Sequence, residues 1–119
     1  MSTVFERCGG FDGIRRVVVE FYDLVLASPG LARYFDGVDM VTLRDHQTKF
    51  VAWVMEGPVH FSDEELRRAH AHLGISQEEF LEIVGLMRRS LEKHDVAPPD
   101  VDHVIRAVMR REPLIVTEN

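Results

Sequence analysis

Six histidines, one cysteine and a few polar side chains set into apolar faces are the residues of this sequence that could do chemistry. A neutral imidazole is the commonest transition-metal ligand. Two histidines stand out by place. His70 falls near the end of a short helical segment, on the side of Leu66 and Ala69, and His46 neighbours Gln47 on a longer one beside an apolar stripe. His94 and His103 have charged neighbours and are assigned to surface faces, and His60 to the turn after Pro58. Tyr22 beside Phe21, and Gln47 between Leu43 and Phe50, interrupt apolar faces. A buried phenol or amide without a partner costs about 1–3 kcal/mol. Either these two bond each other or the backbone, or they converge on a bound polar ligand. The spacing leaves both open.

Other chemistries fare worse. His60, His70 and His72 could suggest zinc, but no cysteine, fourth ligand or HExxH pattern accompanies them. Cys8 precedes Gly9-Gly10 with nothing to activate it as a nucleophile. The run from Cys8 to Gly13 lacks the preceding strand and following lysine of a phosphate loop, and reads as a flexible turn before the first long helix. One cysteine excludes a disulfide framework. A net charge of −6 argues against nucleic-acid binding, which needs a basic footprint. No apolar run nears the ~20 residues of a membrane span, nor is there a signal-like start. A cytoplasmic protein with a single domain over residues 1–119 is expected.

The elements that must position these residues are helical. Ile14, Val17, Val18, Phe21, Tyr22 and Val25 repeat at helical spacing between Phe11 and Leu26, with Asp12 as the expected cap. The run Val17-Val18-Val19 favours a strand only weakly against that period. Ser28-Pro29-Gly30 stops this helix, and a short segment runs to Phe35. Asp39 caps a helix from Met40 to about Met55, with Met40, Leu43, Gln47, Phe50, Val51 and Val54 inward. Ser62–Glu65 and Ser76–Glu79 read as capping boxes for helices to about Ala71 and about His94. The latter carries the stripe Phe80, Ile83, Val84, Met87 and Leu91. Val101, Val104, Ile105 and Val108 face inward on a last helix. The class is all-α.

In this order the residues carry a resemblance. Gly9-Gly10, Phe21-Tyr22, Phe35, Leu43-x-x-His46-Gln47, Gly57-Pro58, Arg68-Ala69-His70 and Gly74-Ile75 resemble the truncated (two-over-two) haemoglobins. The similarity is closest to group I with its mycobacterial N-type members and runs from about Val4 to about Val116. The resemblance implies a truncated globin fold, a two-over-two helical sandwich around haem b, with His70 as the proximal iron ligand. It implies Tyr22 and Gln47 as distal hydrogen-bonding residues, and Phe35 as the aromatic residue packed on the porphyrin. Leu43 takes the place of the distal histidine of larger globins.

An apolar disc would then be walled by Phe35, Leu43, Phe50, Leu66, Ile83 and Met87, with Arg44, Lys49, Arg67 or Arg68 available to its carboxylates. The implied ligands are dioxygen, nitric oxide and carbon monoxide. The implied activities are oxygen binding or transport and nitric oxide dioxygenation. In the latter, dioxygen, nitric oxide and one electron give nitrate, and an external reductase restores the electron. His46 falls where some group I members supply a second iron ligand, which leaves a six-coordinate His46/His70 redox protein as the alternative to five-coordinate iron. Two departures from the family pattern are Glu56, where the first glycine of a Gly-Gly pair is usual, and Val51, where some members gate a ligand tunnel with an aromatic residue. An open apolar channel at Val51 is expected.

Overall fold

The computed structural model describes residues 2–117. These form α1 (Val4–Arg7), α2 (Gly10–Leu26), α3 (Pro29–Ala32), a 3-10 turn (Arg33–Phe35), α4 (Met40–Val54), α5 (Asp63–His70), α6 (Gln77–Lys93), α7 (Pro98–Met109) and α8 (Glu112–Ile115). No strand occurs among the described residues. Helix α2 packs along both α4 and α6, α6 along α7, and α5 along α8. The α2/α4 pair thus lies over the α6/α7 pair. Helices α4 and α6 share α2 as neighbour but are not themselves closely packed. No helix is long and apolar enough to cross a membrane.

Burial decides each helix. Ile14, Val17, Val18, Phe21, Tyr22 and Val25 of α2 are all buried, a stripe at positions i, i+3, i+4, i+7, i+8 and i+11. Of the β-branched run, Val17 and Val18 enter the core and Val19 is left exposed, so packing overrides the strand tendency. Phe80, Val84, Met87 and Leu91 of α6 and Val101, Val104, Ile105 and Val108 of α7 close the core from the other side. The Ser76–Glu79 capping box forms with both bonds. Ser62 accepts from the Glu65 amide without the reciprocal bond, so only half of the second expected box exists. Asp39 caps α4 by accepting from Val41 and Thr42.

Asp12 does not cap α2. The helix begins two residues earlier, and Asp12 lies in its first turn. The cause is α1, a four-residue helix boxed by Thr3 and Glu6, which delivers the chain through left-handed Gly9 (φ 86°) and Gly10 (φ 66°). The Gly9-Gly10 turn is therefore an ordered reversal. It seats Gly13 so close to α1 that a Cβ there would lie 1.8 Å from the Cys8 carbonyl oxygen. Arg7 then reaches buried Asp100 at the start of α7 through Nε (3.0 Å) and Nη2 (2.8 Å).

Helix α4 ends in a Schellman motif. The Gly57 amide donates to the Ala52 carbonyl and the Glu56 amide to Trp53. Glu56 occupies the left-handed position of that motif, at φ 68°, where glycine is the usual residue. Helix α6 ends the same way around Asp95 (φ 61°), with Val96 donating to Leu91 and Asp95 to Glu92. That return of the chain covers His94.

Candidate functional site

Helices α4 and α6 both pack on α2 but not closely on each other. Apolar side chains on these and neighbouring elements remain half-buried: Phe35 on the 3-10 turn, Met40 and Leu43 on α4, Phe61 before α5, Leu73 after it and Ile83 on α6. Phe50, Leu66 and Met87, expected in the same wall, are buried to 3%, 5% and 3% exposure.

Tyr22 is only 5% exposed, its ring edge-on to Phe21 (4.9 Å between centroids) and Phe35 (5.8 Å). Its hydroxyl has no hydrogen-bond partner among the described residues, and burial pushes its pKa up. The phenol thus keeps its proton at any physiological pH and is an O–H donor without an acceptor. Gln47 is half-buried on α4, and neither it nor Tyr22 bonds the other or the backbone. Of the two readings of these polar interruptions, mutual satisfaction is therefore the one the geometry does not realise.

His70 ends α5 and is half-buried. Its Nδ1 lies 2.7 Å from the Leu66 carbonyl oxygen one turn back. A carbonyl only accepts, so Nδ1 carries the hydrogen and Nε2 presents a free lone pair. Burial pushes the His70 pKa below the ordinary 6.5, with the bond to Leu66 opposing. The ring is therefore neutral at pH 7, as metal ligation requires.

His46 is exposed on α4 and is not brought into the buried cluster with Tyr22. Of the candidate cations, Lys49 pairs with Asp45 (3.2 Å), and both Arg67 and Arg68 approach Glu64. Arg44 has no carboxylate partner among the described residues. Val51 is fully buried.

Two histidines differ from expectation. His103 is half-buried, and its Nε2 donates to the Val54 carbonyl (2.8 Å), joining α7 to the end of α4. His94 is half-buried with its Nε2 sealed and unpartnered. Charged sequence neighbours misplace both, because their own side chains point between helices.

Phe61 was not singled out by sequence. Its ring lies edge-on to Phe50 (5.5 Å between centroids) and tilted against Trp53 (6.0 Å). A signal existed: an apolar residue just before the Ser62 cap, with Leu66 at the fourth helical position, is a hydrophobic staple. Arg111 also went unnoticed. It lies over the Trp53 ring (4.9 Å) and bonds Asp63 (3.0 Å).

A surface groove of about 450 Å³ lies elsewhere, on the outer side of α2 among Asp12, Arg15, Arg16, Glu20, Asp23 and His94. Its charged walls suit no flat apolar macrocycle. The half-buried apolar side chains of the 3-10 turn, α4 and α6, with a neutral imidazole whose Nε2 is free and a phenol without a protein acceptor, are the residue types a haem and a polar gas need.

Comparison with known proteins gives the same result. The sequence matches the bacterial-like globin family over residues 3–115. It is 28% identical over 116 residues to a group 1 truncated hemoglobin of Mycolicibacterium paratuberculosis, covering 98% of this chain and 85% of that one. It is 30% identical over 112 residues to a group 1 truncated hemoglobin of Synechocystis, covering 91% and 90%. The fold matches the crystal structure of a 2/2 hemoglobin of Synechococcus, described with covalently attached heme, at a TM-score of 0.89 and 24% identity over 98% of this chain and 100% of that one. With a family match over nearly its whole length and helices arranged two over two, the chain belongs to the bacterial-like globin family, among the group 1 truncated hemoglobins, and its cofactor is haem.

Proposed function

We propose that this globin binds dioxygen and other diatomic gases reversibly on a haem b whose iron is held by His70 alone, and that it works in the cytoplasm in oxygen binding or nitric oxide dioxygenation. One observation carries the reading: the Tyr22 ring is buried against Phe21 and Phe35, and its protonated hydroxyl bonds no other described residue. A donor set in an apolar wall without a protein acceptor is free to serve a ligand.

Haem, when bound, supplies an iron with one open face for a gas. The chain does the rest. His70 offers Nε2, and its Nδ1–H bond to Leu66 fixes the ring and its tautomer. Tyr22 would supply an O–H donor to the gas, and the Gln47 amide would support the phenol or donate beside it. Phe35, Leu43, Phe50, Leu66, Ile83 and Met87 exclude water, so each donated hydrogen bond acts at low dielectric. Arg44, lacking a carboxylate partner, is the cation proposed for a haem carboxylate.

For the nitric oxide reaction, dioxygen, nitric oxide and one electron balance to nitrate. In this reading the electron comes from an external reductase. The exposure of His46 supports five-coordinate iron over the bis-histidyl alternative.

Absorption spectra of the ferric, ferrous, oxy and carbonyl states test the reading. A broad high-spin ferrous spectrum and a stable oxy form are expected. Sharp split visible bands in the reduced protein would show a six-coordinate iron and overturn it. Mixing the oxy form with nitric oxide should give one nitrate per haem. Its absence would leave oxygen binding as the activity.

A further inference from the structure

Helix α5 carries His70 but has little of its own to hold it. It spans Asp63–His70, and Leu66 is its one buried residue. So short a helix is marginal alone, and its place is set by what grips its ends. At its start, Ser62 caps it and Asp63 bonds Arg111. Its far end, where His70 sits, is gripped by Thr117, which follows α8.

We propose that Thr117 is a positioning residue for His70. Its hydroxyl is used on both sides. It accepts from the Gly74 amide (3.0 Å) and donates toward the backbone carbonyl of His70 itself (3.4 Å). The Thr117 amide adds a bond to the Ile75 carbonyl (3.0 Å), and α8, just before it, packs along α5. The His70 carbonyl also accepts from Leu73, which closes the turn at left-handed Gly74 (φ 69°). The histidine is thereby held twice: its ring to Leu66 one turn back, and its main chain to the terminal segment. Without the hydroxyl the last turn of α5 is free to shift along α8, and the imidazole moves with it. The inference rests on the reading that His70 holds the iron.

The test uses three substitutions in the haem-loaded protein: Thr117→Val, which keeps shape and loses the hydroxyl; Thr117→Ala, should valine crowd the turn; and Thr117→Ser, which keeps the hydroxyl. Resonance Raman of the ferrous form reads the iron–histidine stretching band, and transfer of haem to excess apomyoglobin reads its loss. The band should shift in Thr117→Val and Thr117→Ala and return to its original place in Thr117→Ser, with haem loss a few-fold faster in the first two. A band unmoved by valine and alanine, or moved as far by serine, overturns the proposal. A His70→Gly control separates the two readings: if the original protein's band survives that substitution, His70 is not the ligand and the functional reading fails first.

Discussion

Replacing Tyr22 by phenylalanine should move two properties in opposite directions. The phenol sits at 5% exposure and bonds no other described residue, so without haem Tyr22→Phe should remove an unpartnered hydroxyl and little else. Its ring contacts with Phe21 and Phe35, at 4.9 and 5.8 Å, involve the carbon framework that phenylalanine keeps. Leaving a buried hydroxyl unpaired costs about 1–3 kcal/mol, and the low end applies where some water reaches it. The apoprotein should therefore gain about 1 kcal/mol. In the gas-bound protein the same change deletes a hydrogen bond to a strongly polarised ligand, of about 1.5–3 kcal/mol, or roughly ten- to a hundred-fold in dissociation rate. Urea denaturation of the apoprotein and stopped-flow displacement of dioxygen by carbon monoxide measure the two. An apoprotein destabilised by Tyr22→Phe would mean that the hydroxyl has an internal partner. A dioxygen off-rate within two-fold of the original would mean that it does not reach the gas. Either result refutes the argument that an unpaired donor here marks a ligand.

Other outcomes follow from single residues. Glu56→Gly should stabilise the protein by about 0.5–1 kcal/mol, because a left-handed residue with a Cβ is strained while glycine gives back part of that gain in unfolded-state freedom. A fall in the urea midpoint would refute it. Gly13→Ala should cost about 3 kcal/mol or more, because the new Cβ meets the Cys8 carbonyl at 1.8 Å and α1 must move away from α2. A loss under about 0.5 kcal/mol would show that the turn yields freely. For pH, the native His70 pKa lies below 6.5, so below pH 6.5 the unfolded chain binds the proton more readily. Stability from this group is thus complete above pH 6.5 and declines as pH falls toward the native value. The same proton competes with iron, so haem release measured by absorbance should accelerate over that range. Equal release rates at pH 7.5 and 5 would contradict it.

The long helices were legible because burial follows their period: every inward residue read on α2 and α7 is buried, and on α6 only Ile83 stays half-exposed. Local rules also held where they act locally, as at the Asp39 cap and the Ser76–Glu79 box. What failed depends on chain reversals. The short helices α1, α3 and α8 have too few residues to show a period, and without α1 the start of α2 fell on Asp12 instead of Gly9. His94 and His103 were misplaced because neighbours in sequence say little about a side chain that points between helices. For the site, sequence marked Tyr22 and Gln47 as polar interruptions of apolar faces and set His70 and His46 apart by their place, and of these four His46 is exposed. The Nδ1 bond that leaves Nε2 free on His70, and the absence of any partner for Tyr22, needed coordinates.

These residues share a property that bears on how the chain is built. A sequence optimised for its fold alone would pair Tyr22 and Gln47 and would fill the half-buried surfaces of Phe35, Leu43 and Ile83. Here Tyr22 and Gln47 stay unpaired and Phe35, Leu43 and Ile83 stay half-buried, while the core from Ile14 to Val108 is filled; the sealed Nε2 of His94 is a separate departure that lies apart from them. Strain elsewhere, at Glu56 and Asp95, is a backbone feature of two helix ends and not part of that group. Unsatisfied polar groups and open apolar walls are each unfavourable in the empty protein, and one flat apolar group with a polar gas on its face answers both at once. Binding would therefore stabilise the chain, and the stabilisation should grow with ligand concentration, as it does for any ligand of the native state alone. A thermal midpoint that did not rise with added haem would separate these departures from one another and leave each without a cause.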